Sequence, residues 1–299
     1  MAMRHAILGA GGVGGMMGAC LARMGDSVAM VVRPEKLQSD PKQLHLESPF
    51  GKFEVDVAVA AEVPAVDVLW ITVKATQLES ALKALKNPDA VKAIVPLLNG
   101  IDHVQLLRSR YGSGRVIPAT IAGEMERVSP GHFVHRSPFL RLNVASSGRA
   151  LLGSTLDQLQ KMGLTCNFID DEPTLMWGKL VFLAPFALST TAADKPVGEI
   201  ISDPQWRSLA EACVQEACAV GRAEGAKVDA ESILAWVKTA PANMRSSMQK
   251  DVDRGNPLEL DAIAGPILHG AQRHGIDVPA TKKLVEGVER RAGSAQSIA

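Results

Sequence analysis

Six residues, Gly9-Ala10-Gly11-Gly12-Val13-Gly14, constrain this chain more than any other stretch. They fit the pattern G-x-G-x-x-G, follow the short apolar run His5-Ala6-Ile7-Leu8, and open a helical pattern from Val13 to Met24 that stops at Gly25. Between a strand and a helix, each glycine has a physical reason. The first permits a tight turn, the second lets a pyrophosphate approach the backbone, and the third lets the helix pack close on the sheet. The helix N-terminus then faces the anion. In a chain with 26 glycines, a chance string in a loop is the competing reading. The strand-to-helix context favours dinucleotide binding by Gly9, Ala10, Gly11, Gly12, Val13 and Gly14.

The same stretch superficially resembles a secretory signal, because Ala6 to Ala22 carries no charge and Arg4 precedes it. Six of those 17 residues are glycine, and each weakens a helix by about 1 kcal/mol relative to alanine. A targeting or membrane segment is therefore not expected, and the chain reads as cytoplasmic with no membrane partner.

At 299 residues the chain has room for two domains. Its 32 Lys and Arg balance 32 Asp and Glu, and aromatic residues make up 4%. Such a chain has neither the field to condense on phosphate backbones nor the rings to stack bases, so nucleic acid is not an expected partner. Cys20, Cys166, Cys213 and Cys218 form no CxxC pair and read as reduced thiols, and no metal site is expected from their spacing.

Along the N-terminal half, β-type runs alternate with helical patterns. Strands are expected at 5–8, 27–32, 67–73, 93–98, 116–121, 132–135, 140–144 and 165–169, with a hairpin formed by 44–48 and 53–59. Helices are expected at 13–24, 76–85 and 104–110. Strands separated by helical segments imply right-handed crossovers and a mainly parallel sheet covered on both faces. Beyond about Asp170 the pattern becomes helical, at 172–188, 205–224, 231–237, 258–274 and 280–291. The expected fold class is α/β, a doubly wound sheet in residues 1–169, followed by an all-helical domain in residues 170–299 that ends in a frayed tail, Gly293 to Ser297.

Several residues in these elements carry chemistry. The second strand ends in Val32-Arg33 with no acid at its tip, which suits the 2′-phosphate of NADP better than the ribose hydroxyls of NAD, although a solvated surface arginine is the plain alternative. Lys74 and Asn99-Gly100 each follow a strand on the side where a doubly wound sheet binds ligands, yet each is also ordinary turn chemistry. In Trp177-Gly178-Lys179-Leu180 a lysine interrupts an apolar helical run. It either snorkels to water or, if partly buried at a cleft, becomes a better proton donor. Glu259 precedes Leu260-Asp261-Ala262-Ile263, where an acid at a helix start is also stabilising in its own right.

Taken in order, the glycine string, Val73-Lys74-Ala75, Asn99-Gly100, Trp177-Gly178-Lys179-Leu180, Ser246-Ser247-Met248, Glu259 to Gly265 and His274 to Pro279 resemble the ketopantoate reductases (2-dehydropantoate 2-reductases) over nearly the full length. The resemblance implies an N-terminal Rossmann domain, a helical C-terminal domain with the active site in the cleft between them, and NADPH-dependent reduction of a 2-oxo acid. It implies Lys179 as proton donor and Glu259 as the acid beside the nicotinamide and the substrate hydroxyl. Asn99 is then shared by cofactor and substrate, Ser247 meets the substrate carboxylate, Lys74 lies near the ribose, Arg33 holds the 2′-phosphate, and Glu124 is a further cofactor contact.

The chain also departs from the family. Asparagines usual four and eight residues after the lysine are Leu183 and Ala187 here, and a third falls near Val197. Two lost hydrogen bonds at about 1–1.5 kcal/mol each would weaken ketopantoate binding roughly 30- to 150-fold. Ketopantoate is therefore the leading named substrate, and a more apolar 2-oxo acid, lined by Leu183, Phe182 and Phe186, is the alternative. A related NAD-dependent dehydrogenase and a non-catalytic NADP-binding sensor are further readings. The sequence does not give the oligomeric state; helical domains of this kind can pair through apolar faces, which leaves a homodimer open.

Overall fold

The computed structural model, which describes residues 2–237 and 240–296, divides into two compact units. The first comprises Met1–Leu98 and His103–Asp170, and the second Asn99–Asp102 and Asp171–Ala299. The long division thus falls after Asp170, and the short segment that carries Asn99 belongs with the helical unit.

The first unit is built on β1 (Arg4–Leu8), α1 (Gly12–Arg23), β2 (Ser27–Val31), β3 (Gln43–Ser48), β4 (Gly51–Asp56), β5 (Ala58–Ala60), β6 (Val66–Ile71), α2 (Leu78–Ala81) and β7 (Val91–Pro96). After these come α3 (Asp102–Tyr111), β8 (Ala119–Ala122), β9 (Met125–Ser129), β10 (His132–His135), β11 (Arg141–Ala145), α4 (Arg149–Lys161) and β12 (Thr165–Ile169). Five strands form a parallel sheet in the order β5-β2-β1-β6-β7. The order reverses beside β1, so the carboxyl ends of β1 and β6 mark the ligand-binding edge of a Rossmann-type sheet. Val, Ile, Leu and Ala fill these strands because both faces are covered. His5 is the buried polar residue of the central strand, β1. Trp70 Nε1 donates to its Nδ1 at 3.2 Å, which leaves Nε2, 3.1 Å from Asp26, to carry the proton. Burial holds its pKa below the ordinary value.

The second unit contains α5 (Glu172–Ala193), α6 (Val197–Ser202), α7 (Pro204–Ala223), α8 (Ala230–Val237), α9 (Ser247–Asp253), α10 (Leu260–His274) and α11 (Pro279–Gln296). Helix α5 runs through its middle, packed by α7, α9, α10 and α11. By length and composition α5 is the one described helix apolar enough to cross a membrane, but 72% of its most apolar window is buried inside the fold. Its apolar residues are core: Trp177, Leu180, Val181, Ala184 and Leu188 all lie in one cluster with residues of α7, α10 and α11.

The structure corrects several sequence expectations. The strands do not form one mainly parallel sheet; β4-β3-β10-β9 and β12-β11-β8 are separate mixed sheets. The expected strand 53–59 breaks at Val57, where the chain leaves β4 for β5 in the parallel sheet. Residues 76–85 form 3-10 turns around the four-residue α2 instead of one helix. Val116 makes only an isolated bridge to Ile94, and β8 starts after Pro118, which has no N–H for the ladder. Strand β9 and helices α4, α6 and α9 were not expected from the sequence. In α4 the buried stripe Leu152, Leu156, Leu159 has helical spacing, but Gly153, Ser154 and Thr155 between its members dilute the signal. The expected frayed tail is helical as far as Gln296, and Ser297 lies outside the described residues.

Candidate active site

Within the second unit three side chains form a hydrogen-bonded chain. Lys179 Nζ donates to Asn99 Oδ1 at 2.9 Å, and Asn99 Nδ2 donates to Glu259 Oε2 at 3.1 Å. The amide is oriented by charge, because its carbonyl meets the ammonium and its amino group meets the carboxylate.

Each member is held by its element. Lys179 leaves α5 from a stretch whose neighbours Trp177, Leu180 and Val181 are core, so its aliphatic stem is fixed and the side chain is only partly exposed. Asn99 is set by Gly100, at φ +81°, where a Cβ would run into the carbonyl of Ala262 in the first turn of α10. Glycine is therefore required there on both conformational and steric grounds. Glu259 sits at the N-cap of α10 and is 7% exposed, but its side chain makes no capping bond to that helix. It is turned to Asn99 instead.

Burial lowers the Lys179 pKa from the ordinary 10.5 to about 8, and the nearby charge of Glu259 partly opposes the shift. An ammonium with such a pKa is mostly protonated at neutral pH and releases its proton more readily than a surface lysine. The four thiols have no comparable chemistry, since burial pushes Cys20, Cys166 and Cys213 up to about 12 and Cys218 up to about 11.

Of the other positions read from the sequence in this unit, Leu183 is partly buried against the helical core, and Ala187 is 1% exposed within it. Ser247 is exposed at the first turn of α9. Its neighbour Ser246 is the buried one: Ser246 Oγ accepts from the Gln249 N–H at 3.1 Å and lies 2.9 Å from Thr190 Oγ1 on α5. Phe182 and Phe186 stack at 5.6 Å and 10°. They line a largely apolar groove of about 490 Å³ together with Val197, Ile200, Ile201 and Val214, with Arg207 and Glu211 as its charged members. Lys179, Phe182 and Phe186 follow one another at helical spacings of three and four, so they share one face of α5.

In the first unit the glycine string forms the turn from β1 to α1. Gly9 has φ +116°, and a Cβ on it would meet Val73 at 2.8 Å. A Cβ on Gly14 would collide with the carbonyl of Gly9, and one on Gly12 with that of Met125. Around Gly11 there is open space, and no side chain caps α1, whose first residues include Val13. This is the arrangement in which a pyrophosphate can approach bare backbone at a helix N-terminus, and the residues present fit a dinucleotide. Thr72 was not singled out in the sequence, yet its Oγ1 donates to the Gly9 carbonyl at 2.8 Å and holds the loop to the end of β6. Arg127 does similar work, donating from Nη1 to the Ala10 carbonyl at 3.1 Å. Arg33 follows β2 with its side chain 77% exposed, 3.5 Å from Glu35. Lys74 is half-buried after β6. Glu124 is exposed, and its backbone N–H donates to Ser137 Oγ at 2.9 Å.

Comparison with known proteins gives concordant matches to both units. Residues 5–146 match the family described as ketopantoate reductase PanE/ApbA, and residues 173–292 match the C-terminal part of the same family. The chain is 28% identical over 290 residues to a 2-dehydropantoate 2-reductase of Caulobacter vibrioides, covering 94% of this chain and 96% of that protein. Among solved structures, a PanE/ApbA family ketopantoate reductase from Ralstonia eutropha JMP134 superposes with a TM-score of 0.86 at 27% identity, covering 98% of this chain and all of that one. A D-mandelate dehydrogenase with NADH and anilino(oxo)acetate has the same fold, with a TM-score of 0.86 at 20% identity over 98% of this chain and all of that one.

Proposed function

The chain belongs to the ketopantoate reductase family and is an oxidoreductase of that type, and from this premise we propose that it reduces the ketone of a 2-oxo acid to a 2-hydroxy acid with NADPH. The observation that carries the reading is the chain Lys179–Asn99–Glu259, with its lysine acidified by burial. When bound, the reduced nicotinamide supplies the hydride. As negative charge grows on the ketone oxygen, the Lys179 ammonium stabilises it and donates a proton from Nζ. Asn99 keeps Nζ in place, and Glu259 favours the charged form of the lysine. The glycine turn and the N-terminus of α1 bind the pyrophosphate, Arg33 the 2′-phosphate, and Lys74 and Glu124 further parts of the cofactor. Ser247 receives the substrate carboxylate.

Reduction of ketopantoate to pantoate is the leading reading. A second reading, a more apolar 2-oxo acid, is supported by Leu183, Ala187 and Val197 and by the groove behind Phe182 and Phe186. Steady-state NADPH oxidation with a panel of 2-oxo acids tests both. Turnover with ketopantoate and weak activity on phenyl-bearing acids supports the first, and the reverse order supports the second. Lys179→Ala is expected to lower kcat by about 10²–10⁴-fold, the usual worth of general acid catalysis. Near-normal turnover would remove Lys179 from its role. Tight NADPH binding without turnover on any acid would favour the sensor.

A further inference from the structure

On the mixed sheet of the first unit, strands that are far apart in sequence bring two histidines and two glutamates to one face. His45 of β3 is in register with His132 of β10 on one side and with Glu54 of β4 on the other. Glu47 follows two residues after His45 and therefore points the same way. The opposite face is core, with Leu44, Leu46 and Phe133 buried and the Phe133 ring lying against Gly15 of α1.

The donor atoms converge. One from each of His45, Glu47 and His132 lies within 4.8 Å of the other two. Glu47 Oε1 is 2.9 Å from His132 Nε2 and 3.7 Å from His45 Nε2. Ligands about 2.0–2.2 Å from a tetrahedral cation stand roughly 3.4 Å apart, and the two Glu47 distances bracket that spacing, so rotation of the exposed imidazoles about their side-chain bonds is what would seat an ion. His45 Nδ1 is 3.1 Å from Glu54 Oε1, which directs Nε2 toward the centre in the manner of a carboxylate that orients a metal-bound imidazole. Lys52 takes the other oxygen of Glu47, Oε2, at 2.7 Å and leaves Oε1 facing the histidines. The three side chains are 31–38% exposed, so a cation has access from solvent and room for a water as fourth ligand.

We propose that His45, Glu47 and His132 form a binding site for one divalent transition-metal cation of the Zn²⁺ class, with Glu54 orienting His45. Two imidazoles and a carboxylate suit Zn²⁺, Co²⁺ or Ni²⁺ over Mg²⁺ or Ca²⁺. The ion would clamp β3 to β10, whose paired histidines are 87 residues apart in sequence, on the sheet that backs α1. The site is distinct from the Lys179–Asn99–Glu259 chain and takes no part in the proposed reduction.

The test is calorimetric titration of tag-free, chelator-treated protein with ZnCl₂, and with CoCl₂ followed by the visible absorption of the bound ion. One equivalent is expected to bind with a micromolar Kd and to raise Tm. His132→Ala and Glu47→Gln should each weaken binding at least tenfold, and Glu54→Ala by about 10- to 100-fold, as for other partners of metal-bound histidines. The residues are on the surface, so unchanged circular dichroism and unchanged NADPH oxidation will show that the variants fold. Absence of saturable binding, or binding equally tight in His132→Ala, would overturn the proposal.

Discussion

Lys179 sits where burial and a nearby carboxylate pull in opposite directions, and its pKa near 8 is the net result. Three outcomes follow at this scale. Reduction requires the ammonium, so kcat/KM, which reports the free enzyme, should be level at neutral pH and fall as pH rises through about 8, measured as NADPH oxidation across a buffer series. Glu259→Gln removes the charge that raises the lysine pKa, so the midpoint should move to lower pH; a midpoint unmoved would separate Glu259 from Lys179. The same shift bears on stability. The folded pKa lies below the unfolded 10.5, so the folded state carries a cost that is full below about 8 and is relieved as pH rises toward 10.5. Lys179→Met, which keeps the stem and removes the charge, should lower turnover by the same roughly 10²–10⁴-fold as the alanine variant while raising Tm at pH 7, by about 2–4 °C for each kcal/mol recovered. The sequence showed a lysine in an apolar run but left snorkelling and burial equally open. Only the packing of Trp177, Leu180 and Val181 decides between them.

The β1–α1 turn shows the same division at the level of elements. The motif assigns its three glycines different jobs, and the structure gives each its surroundings: a Cβ on Gly9, Gly12 or Gly14 would strike the fold, whereas the space beside Gly11 is open. Gly14→Ala places a methyl against the Gly9 carbonyl and is expected to lower thermal stability, whether or not cofactor is present. Gly11→Ala meets nothing in the protein and should leave Tm unchanged while weakening NADPH binding, read by fluorescence titration. If both variants behave alike, the loop is not a phosphate cradle. Helix α5 gives a substrate-level counterpart. Leu183 is one turn beyond Lys179, and Leu183→Asn should improve kcat/KM for ketopantoate by about tenfold if one hydrogen bond worth roughly 1–1.5 kcal/mol is restored. Elements with strong continuous patterns, such as β1, α1, α5 and α7, were legible in the sequence. Those missed were short or diluted: α6 has six residues, α9 has seven, and α4 carries a glycine in its second turn.

For the whole molecule, the zero net charge is a cancellation. Residues 1–169 contain 18 Lys and Arg against 14 Asp and Glu, and the remaining residues contain 14 against 18. The positive part is the one with the dinucleotide fold, and Arg33 is its exposed cation at the end of β2. Arg33→Ala should raise Kd for NADPH about tenfold and leave NADH almost unchanged, because only the former has a 2′-phosphate to lose a charge-assisted bond. Equal losses would remove Arg33 from that role. By itself the sequence determined the α/β-then-helical organisation and the glycine turn, because steric demands of turns and the periodicity of buried faces act over a few residues. Only the tertiary structure decided that Asn99 joins Lys179, 80 residues away, to Glu259, 160 residues away, and that His132 meets His45 and Glu47. It also decided how far Lys179 is desolvated. Distances and burial of this kind depend on how remote segments pack, and no local window of sequence carries them.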